Sequence, residues 1–416
     1  MLQVTSTQAA TWAIAAVATG GVLFRPFGVP EAVWAVLGAL ALVGMSLLPS
    51  SVAVAAIAKG TDVYLFLTGM MLLAELAREE GLFDWLAACA VRAAKGSQSR
   101  LFGLVYVVGT VVTVFLSNDA TAVVLTPAVY AAARAAGAKP LPYLYICAFI
   151  ANAASFVLPI SNPANLVVYG SHMPQLRSWL ATFAWPSVLA IAVTFIVLRI
   201  TQHASLAAPI ANTVPLPRLS TEGKWAAAGI ALAATALLGA SAFAVDLGLP
   251  TALSGIIAVA TVSFSARKAP WRVFAGISWS VLPLVAGLFV LVAGLEQTGV
   301  IAMLTTALHD SVTRSSGSAA WQAGLAVAFA SNVINNLPAG LIAASTIAGA
   351  APPDAVTAAM LIGVDLGPNL SVTGSLATIL WLVALRREQV HVDAVTFLKL
   401  GTLVMIPALV AALSAT

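Results

Sequence analysis

Apolar runs of about membrane-spanning length follow one another from residue 10 to residue 414, separated by short polar breaks. These runs and their breakers predict helices over 10–24, 30–48, 61–77, 142–170, 178–199, 224–244, 250–266, 279–296, 356–386 and 394–414. Two further stretches, 101–134 and 319–349, each carry two apolar arms around a polar centre, LSNDATA (116–122) and SNVINNLPA (331–339). Lipid tolerates a polar centre only where protein or a water-filled cavity covers it, so each stretch is predicted to be a re-entrant hairpin.

The two halves of this pattern match each other. Gly81 in EEGLFDWL corresponds to Gly299 in EQTGVIAML, 218 residues on. Asn118, Asp119 and Thr121 correspond to Asn335, Asn336 and Pro338, 217 on, and Asn152 corresponds to Asp365, 213 on. Five helices and one hairpin per half make an odd number of crossings, so the second half must enter the membrane from the opposite face. The expected fold is an all-α polytopic membrane protein of two inverted-topology repeats, with the binding site between them near the bilayer midplane. Repeat 1 covers 1–200 (hairpin 101–134, broken helix 142–170) and repeat 2 covers 224–416 (hairpin 319–349, broken helix 356–386), with 201–223 as the linker.

Composition agrees: 61% of residues are hydrophobic and 8% charged, against about 25% charged in an average soluble domain. Sixteen of the nineteen Lys and Arg residues fall on one side of the layout, among them Arg78, Arg134, Arg199, Arg267 and Arg386. Only Lys59, Arg177 and Arg314 fall on the other. The positive-inside rule makes the first side cytoplasmic, which puts the linker in the cytoplasm and both termini in the periplasm of a bacterial inner membrane. Spread over loops in this way, the net charge of +4 speaks for orientation and against a nucleic-acid partner. MLQVTSTQAA lacks a basic n-region and no cleavage site follows it, so no removable signal is predicted. Cys89 and Cys147 have neither disulfide nor zinc spacing. No GxxxxGK[ST], HExxH or GxSxG occurs, which leaves no enzyme, metal or cofactor to expect and points to an ion gradient or a partner for energy.

The candidate chemistry lies in four polar clusters at membrane depth. Two are the hairpin centres, with Ser117, Asn118, Asp119 and Thr121 in one and Asn332, Asn335, Asn336 and Pro338 in the other. The others break long helices: SNPAN (161–165) after Pro159, and TGSLAT (373–378) after DLGP (365–368). Broken helices free backbone NH and carbonyl groups, and Asn, Ser and Thr add donors and acceptors, a combination suited to a small neutral polyhydroxy solute or a weakly held cation. Asp119 and Asp365 are carboxylates inside these clusters, where ionisation is costly, which marks them as proton or cation relays. Glu75 is expected to form a surface i,i+3 pair with Arg78, and Glu296 occupies the mirrored helix end. All four histidines fall in loops or linkers.

At these motifs the chain resembles the arsenite–antimonite efflux permeases of the ion transporter superfamily. The resemblance runs almost end to end and is most specific in SNDATAVVLTP (117–127), SNPANLV (161–167), INNLPA (334–339) and DLGPNLSVTGSLATILWL (365–382). It implies export of the neutral hydroxides As(OH)3 and Sb(OH)3 in exchange for protons, by an elevator-like movement of the hairpin-bearing domain. It also implies a substrate site of Asn118, Thr121, Ser161, Asn162, Asn165, Asn335, Asn336, Thr373, Gly374 and Ser375, with Asp119 and Asp365 coupling the protons. Partners open to such a chain are the lipid bilayer, a cytoplasmic arsenite-stimulated ATPase subunit and further copies of itself. One departure is Asn369, where relatives often carry lysine. Two alternatives stay within the superfamily, a sodium–proton antiporter and a carboxylate carrier. Asp119 and Asp365 argue against the carrier, since anions would be repelled and find no cation in the clusters. A passive channel would need a continuous pore in place of two symmetric midplane clusters.

Overall fold

In a computed structural model, residues 5–211 and 218–416 are described, so 212–217 of the predicted linker lies outside the described residues. The first half folds as α1 (Ser6–Phe24), α2 (Glu31–Gly44), α3 (Ser50–Lys59), α4 (Thr61–Glu79), α5 (Leu82–Ala94), α6 (Gln98–Leu116), α7 (Thr126–Ala135), α8 (Leu141–Ala153), α9 (Pro163–Tyr169) and α10 (Leu176–Thr201). The second folds as α11 (Thr221–Ala242), α12 (Gly248–Ala266), α13 (Trp271–Gly276), α14 (Val281–Gln297), α15 (Val300–Arg314), α16 (Ser316–Ile334), α17 (Asn336–Ala350), α18 (Asp354–Leu366), α19 (Leu376–Arg387) and α20 (Ala394–Leu413).

This is an all-helical membrane protein. Among the described residues, α1, α6, α10, α11, α12 and α20 are each long and apolar enough to cross a bilayer. The number rises to eight if α3 with α4, bent by 45°, and α14 with α15, bent by 75°, each count as one span. The predicted helices 142–170 and 356–386 are both broken, into α8 and α9 and into α18 and α19. The sequence pattern does not predict α5 and α15. Both are amphipathic: in α5 the buried positions Phe83, Ala87 and Val91 recur every four residues while Arg92 faces out.

The internal match is sharper in the backbone than in the residues. Both bounds of α6 recur in α16 at an offset of 218, and both bounds of α8 recur in α18 at 213. The hairpin tips turn at Ser117 (φ 130°) and Asn335 (φ 73°), also 218 apart, and neither is a glycine. Positive φ at such residues costs energy and persists only where surrounding structure enforces it, most often at functional sites. The hairpin register therefore shifts by one from the residue match: Asn118 pairs with Asn336, and Asp119 with Leu337.

The two sequence halves interdigitate. α2 packs on α14, α4 on α12, α9 on α17 and α10 on α20. The α4–α12 crossing depends on small residues, as close helix contacts in membranes do. A Cβ on Gly69 would overlap the Thr251 carbonyl, and one on Gly255 would overlap the Gly69 carbonyl. Gly69→Val is accordingly expected to cost about 3 kcal/mol, seen as loss of the monodisperse detergent-solubilised protein at a lower temperature than wild type.

Contacts between loops tie distant parts of the chain together. Lys268 Nζ pairs with Glu80 Oε1 at 3.0 Å, Ile210 N donates to Gly96 O at 3.0 Å and Ala211 N donates to Ala136 O at 2.9 Å. Tyr130 OH donates to Glu388 O at 3.3 Å. These bonds join the loop after α4 to that after α12, and the loops after α5, α7, α10 and α19 to one another.

Candidate functional site

The two hairpin tips and the two helix breaks meet at one point. A cavity of about 20 Å³ is lined by Asn118 and Asp119 from the first tip, Asn336 and Leu337 from the second, Asn162 from the first break and Ser375 from the second. That is room for about one water-sized group. The polar lining follows the internal match, with Asn118 opposite Asn336 at 218 and Asn162 opposite Ser375 at 213. Asp119, whose mate is Leu337, breaks the symmetry.

Local sequence explains each placement. Asn162 caps α9, its Oδ1 accepting from Ala164 N at 3.0 Å, with Pro163 in the first helical position. Ser375 caps α19, its Oγ accepting from Thr378 N at 3.1 Å. Both helix N-termini therefore border the cavity, and their partial positive charge favours a carboxylate or a substrate oxygen there. At the first tip Asn118 Oδ1 accepts from Asp119 N at 2.9 Å. At the second, Asn336 N donates to Gly374 O at 2.9 Å and Asn335 Nδ2 donates to Thr373 O at 3.2 Å, seaming the hairpin to the break.

The predicted site residues divide by what their side chains already do. Asn118 Nδ2, both Asp119 carboxylate oxygens and the whole Asn336 amide make no hydrogen bond among the described residues, so they are available to a ligand. The rest are committed. Thr121 Oγ1 pairs with Thr113 Oγ1 at 2.8 Å, and Ser161 Oγ donates to Val114 O at 3.0 Å. Thr373 Oγ1 donates to Asn332 O at 3.0 Å. Asn165 Nδ2 donates to the carbonyls of Ser155, Leu158 and Pro159 at 2.9 to 3.3 Å, satisfying the break in its own helix.

The carboxylates also separate. Asp119 is half-buried and lines the cavity. Asp365 is fully buried and stands behind it: Asn162 Nδ2 donates to its Oδ1 at 2.8 Å, while its Oδ2 has no partner among the described residues. Asn369, the departure from the resembled pattern, is an uncharged bridge between the breaks. Its Nδ2 donates to Phe149 O and its Oδ1 accepts from Asn152 Nδ2, both at 3.0 Å.

The expectation for Glu75 is met only in part. The expected pair with Arg78 is present, Nε to Oε2 at 2.8 Å and Nη2 to Oε1 at 2.5 Å, but it is not a surface pair. Glu75 is only 7% exposed and lines a wider cavity of about 100 Å³ together with Asp119. The signal was the helical face Leu67, Met71, Glu75, spaced by four, which runs along that cavity.

A family model described as citrate transporter, CitMHS, matches residues 14–366. The arsenical pump membrane protein of Yersinia enterocolitica is 28% identical over 363 residues, covering 83% of both chains. That of Escherichia coli K12 is 27% identical over 366 residues with the same coverage. The solved YdaH transporter of Alcanivorax borkumensis is similar in fold, with a TM-score of 0.59 at 17% identity over 87% of this chain and 86% of that one.

Proposed function

We propose that this chain, which belongs to the CitMHS citrate-transporter family and is a secondary transporter rather than an enzyme, carries arsenite and antimonite out of the cell in exchange for protons. The observation that carries this reading is the cavity lining. It offers uncommitted amides at Asn118 and Asn336, one carboxylate at Asp119, and no Lys, Arg or His. A carboxylate substrate such as citrate would meet Asp119 with no cation to pair with, whereas a neutral trihydroxide, admitted once the hairpin tips part to widen the small cavity, needs only donors and acceptors, which amides supply in both senses. The arsenical pump membrane proteins that match most of the chain support the same cargo.

In this reading Asp119 holds the exchanged proton and Asp365 fixes Asn162 at the lip of the site. The halves 1–200 and 224–416 are inverted repeats, the basic face is cytoplasmic, and both termini are periplasmic. Transport moves the hairpin-bearing part past α4 and α14, alternately opening the site to each side. The test is arsenite accumulation in everted membrane vesicles. Uptake is expected to require an imposed proton gradient, to persist without sodium and to be unaffected by excess citrate. Uptake that follows sodium, or citrate accumulation in place of arsenite, would replace this reading with the antiporter or carboxylate-carrier alternative.

A further inference from the structure

We propose that Glu75 is the proton-transfer residue between Asp119 and the basic face of the protein, with Arg78 as its resident counter-ion; the proposal rests on the proton-coupled reading above. The wider cavity shares Leu67, Asp119, Pro163, Val281 and Leu376 with the small one and extends from it to Glu75. The two carboxylates thus face one space, roomy enough for several waters. The path ends at Arg78, which is 49% exposed on the side where Lys268 and Glu80 pair.

The internal match supplies the control. A second cavity, of about 360 Å³, lies between α1, α14 and the other hairpin. Four of its lining residues sit 218 on from lining residues of the first: Leu288 from Met70, Val292 from Ala74, Pro338 from Ala120 and Ile342 from Val124. Its α14 and hairpin walls are therefore the mates of the α4 and hairpin walls of the first cavity, and they contain no carboxylate. The mate of Glu75 is Ala293 and the mate of Asp119 is Leu337. A carboxylate needed merely to build these two walls would be expected in both. Carboxylates confined to one of the pair serve transfer to one face.

The surroundings of Glu75 fit a group that changes protonation. Arg78 and Glu79 are the charged groups beside it on its own helix, Asp62 lying at the far end against Gly248 N, and Asp119 faces it across the cavity. The α13–α14 segment opposes it with Gly276 and Ser278, both uncharged, Arg272 on α13 being exposed, and the α12 end contributes Lys268, already held by Glu80. A Cβ on Gly276 would overlap Glu75 Oε1, so only glycine leaves the carboxylate its place. Arg78 also binds Glu79 at 2.6 Å, so the guanidinium keeps a partner whenever Glu75 is neutral. In the step itself, an O–H bond at Asp119 breaks and one forms at Glu75 through cavity water. Glu75 then yields the proton to bulk water and pairs with Arg78 again.

The experiment follows the carboxylic-acid C=O infrared band of the purified protein after a downward pH jump, taking Asp119 to be the band lost in Asp119→Asn. In Glu75→Gln that band is expected to rise about tenfold more slowly or worse, with partial rescue by formate, while Glu75→Asp stays near wild type. In everted vesicles Glu75→Gln is expected to lose gradient-driven arsenite uptake yet keep arsenite counterflow, which moves no net proton. An unchanged band rate in Glu75→Gln overturns the proposal, as does equal loss of uptake and counterflow without formate rescue. Should Glu75→Gln be unstable with Arg78 half-paired, Glu75→Gln with Arg78→Gln removes both charges and is read the same way. Wild type that shows the band but no proton-driven arsenite uptake defeats the cargo reading and leaves Glu75 to be judged by the band alone.

Discussion

Asp119→Asn is expected to remove proton-driven arsenite accumulation in everted vesicles, lowering its rate by about a hundredfold or more, with the protein present in the membrane at wild-type level. The replacement is nearly isosteric, and Asp119 makes no side-chain hydrogen bond among the described residues whose loss would unsettle the hairpin. What it removes is the one titratable group lining the small cavity. Asp365→Asn is the informative contrast. Asp365 is sealed from that cavity and holds Asn162 by its Oδ1, and an asparagine there still offers an oxygen to the same donor. Proton coupling should survive Asp365→Asn, while half-saturation for arsenite rises several-fold because Asn162 is held less firmly. If instead Asp365→Asn uncouples transport and Asp119→Asn does not, the roles of the two carboxylates are reversed.

How much of this was legible beforehand depends on the length over which each signal acts. The helices and the two hairpin centres were visible because apolar runs must match the bilayer and polar centres must not face lipid. The clusters at 117–121, 161–165, 335–338 and 373–378 were visible for the same reason, and all four do converge on one cavity. Which member of each cluster is free to bind was not visible. Asn165 and Thr121 are polar like Asn336, yet the Asn165 Nδ2 is spent on the Leu158 carbonyl and the Thr121 hydroxyl on Thr113. That depends on where a break leaves unpaired backbone groups, which residue type does not reveal. The register slip has a related origin. Matching Asn118 to Asn335 follows side-chain identity, whereas the repeat conserves the turn, placing Ser117 over Asn335. Glu75 was hidden by its partner: an i,i+3 pair looks the same in sequence whether it faces water or a vestibule.

The corrected register leads to a second large effect. With Asn118 and Asn336 as mates across one small cavity, Asn118→Ala and Asn336→Ala should each raise the arsenite concentration for half-maximal transport by about tenfold, the value of one lost hydrogen bond of roughly 1 to 1.5 kcal/mol. Asn118→Ala should be somewhat the worse, because Asn118 Oδ1 also holds Asp119 N while the Asn336 side-chain amide makes no hydrogen bond among the described residues. The double variant decides whether they share a ligand. Residues gripping one small trihydroxide are coupled: once one grip is lost the solute reorients, and the second loss costs less by at least about 0.5 kcal/mol. Free energies that simply add in the double variant would mean that the two amides act on separate ligands, and a single symmetric site at the hairpin tips would have to be abandoned. A shortfall from additivity, measured by initial rates of arsenite uptake across the four proteins, places one substrate between the two mates with Asp119 beside it.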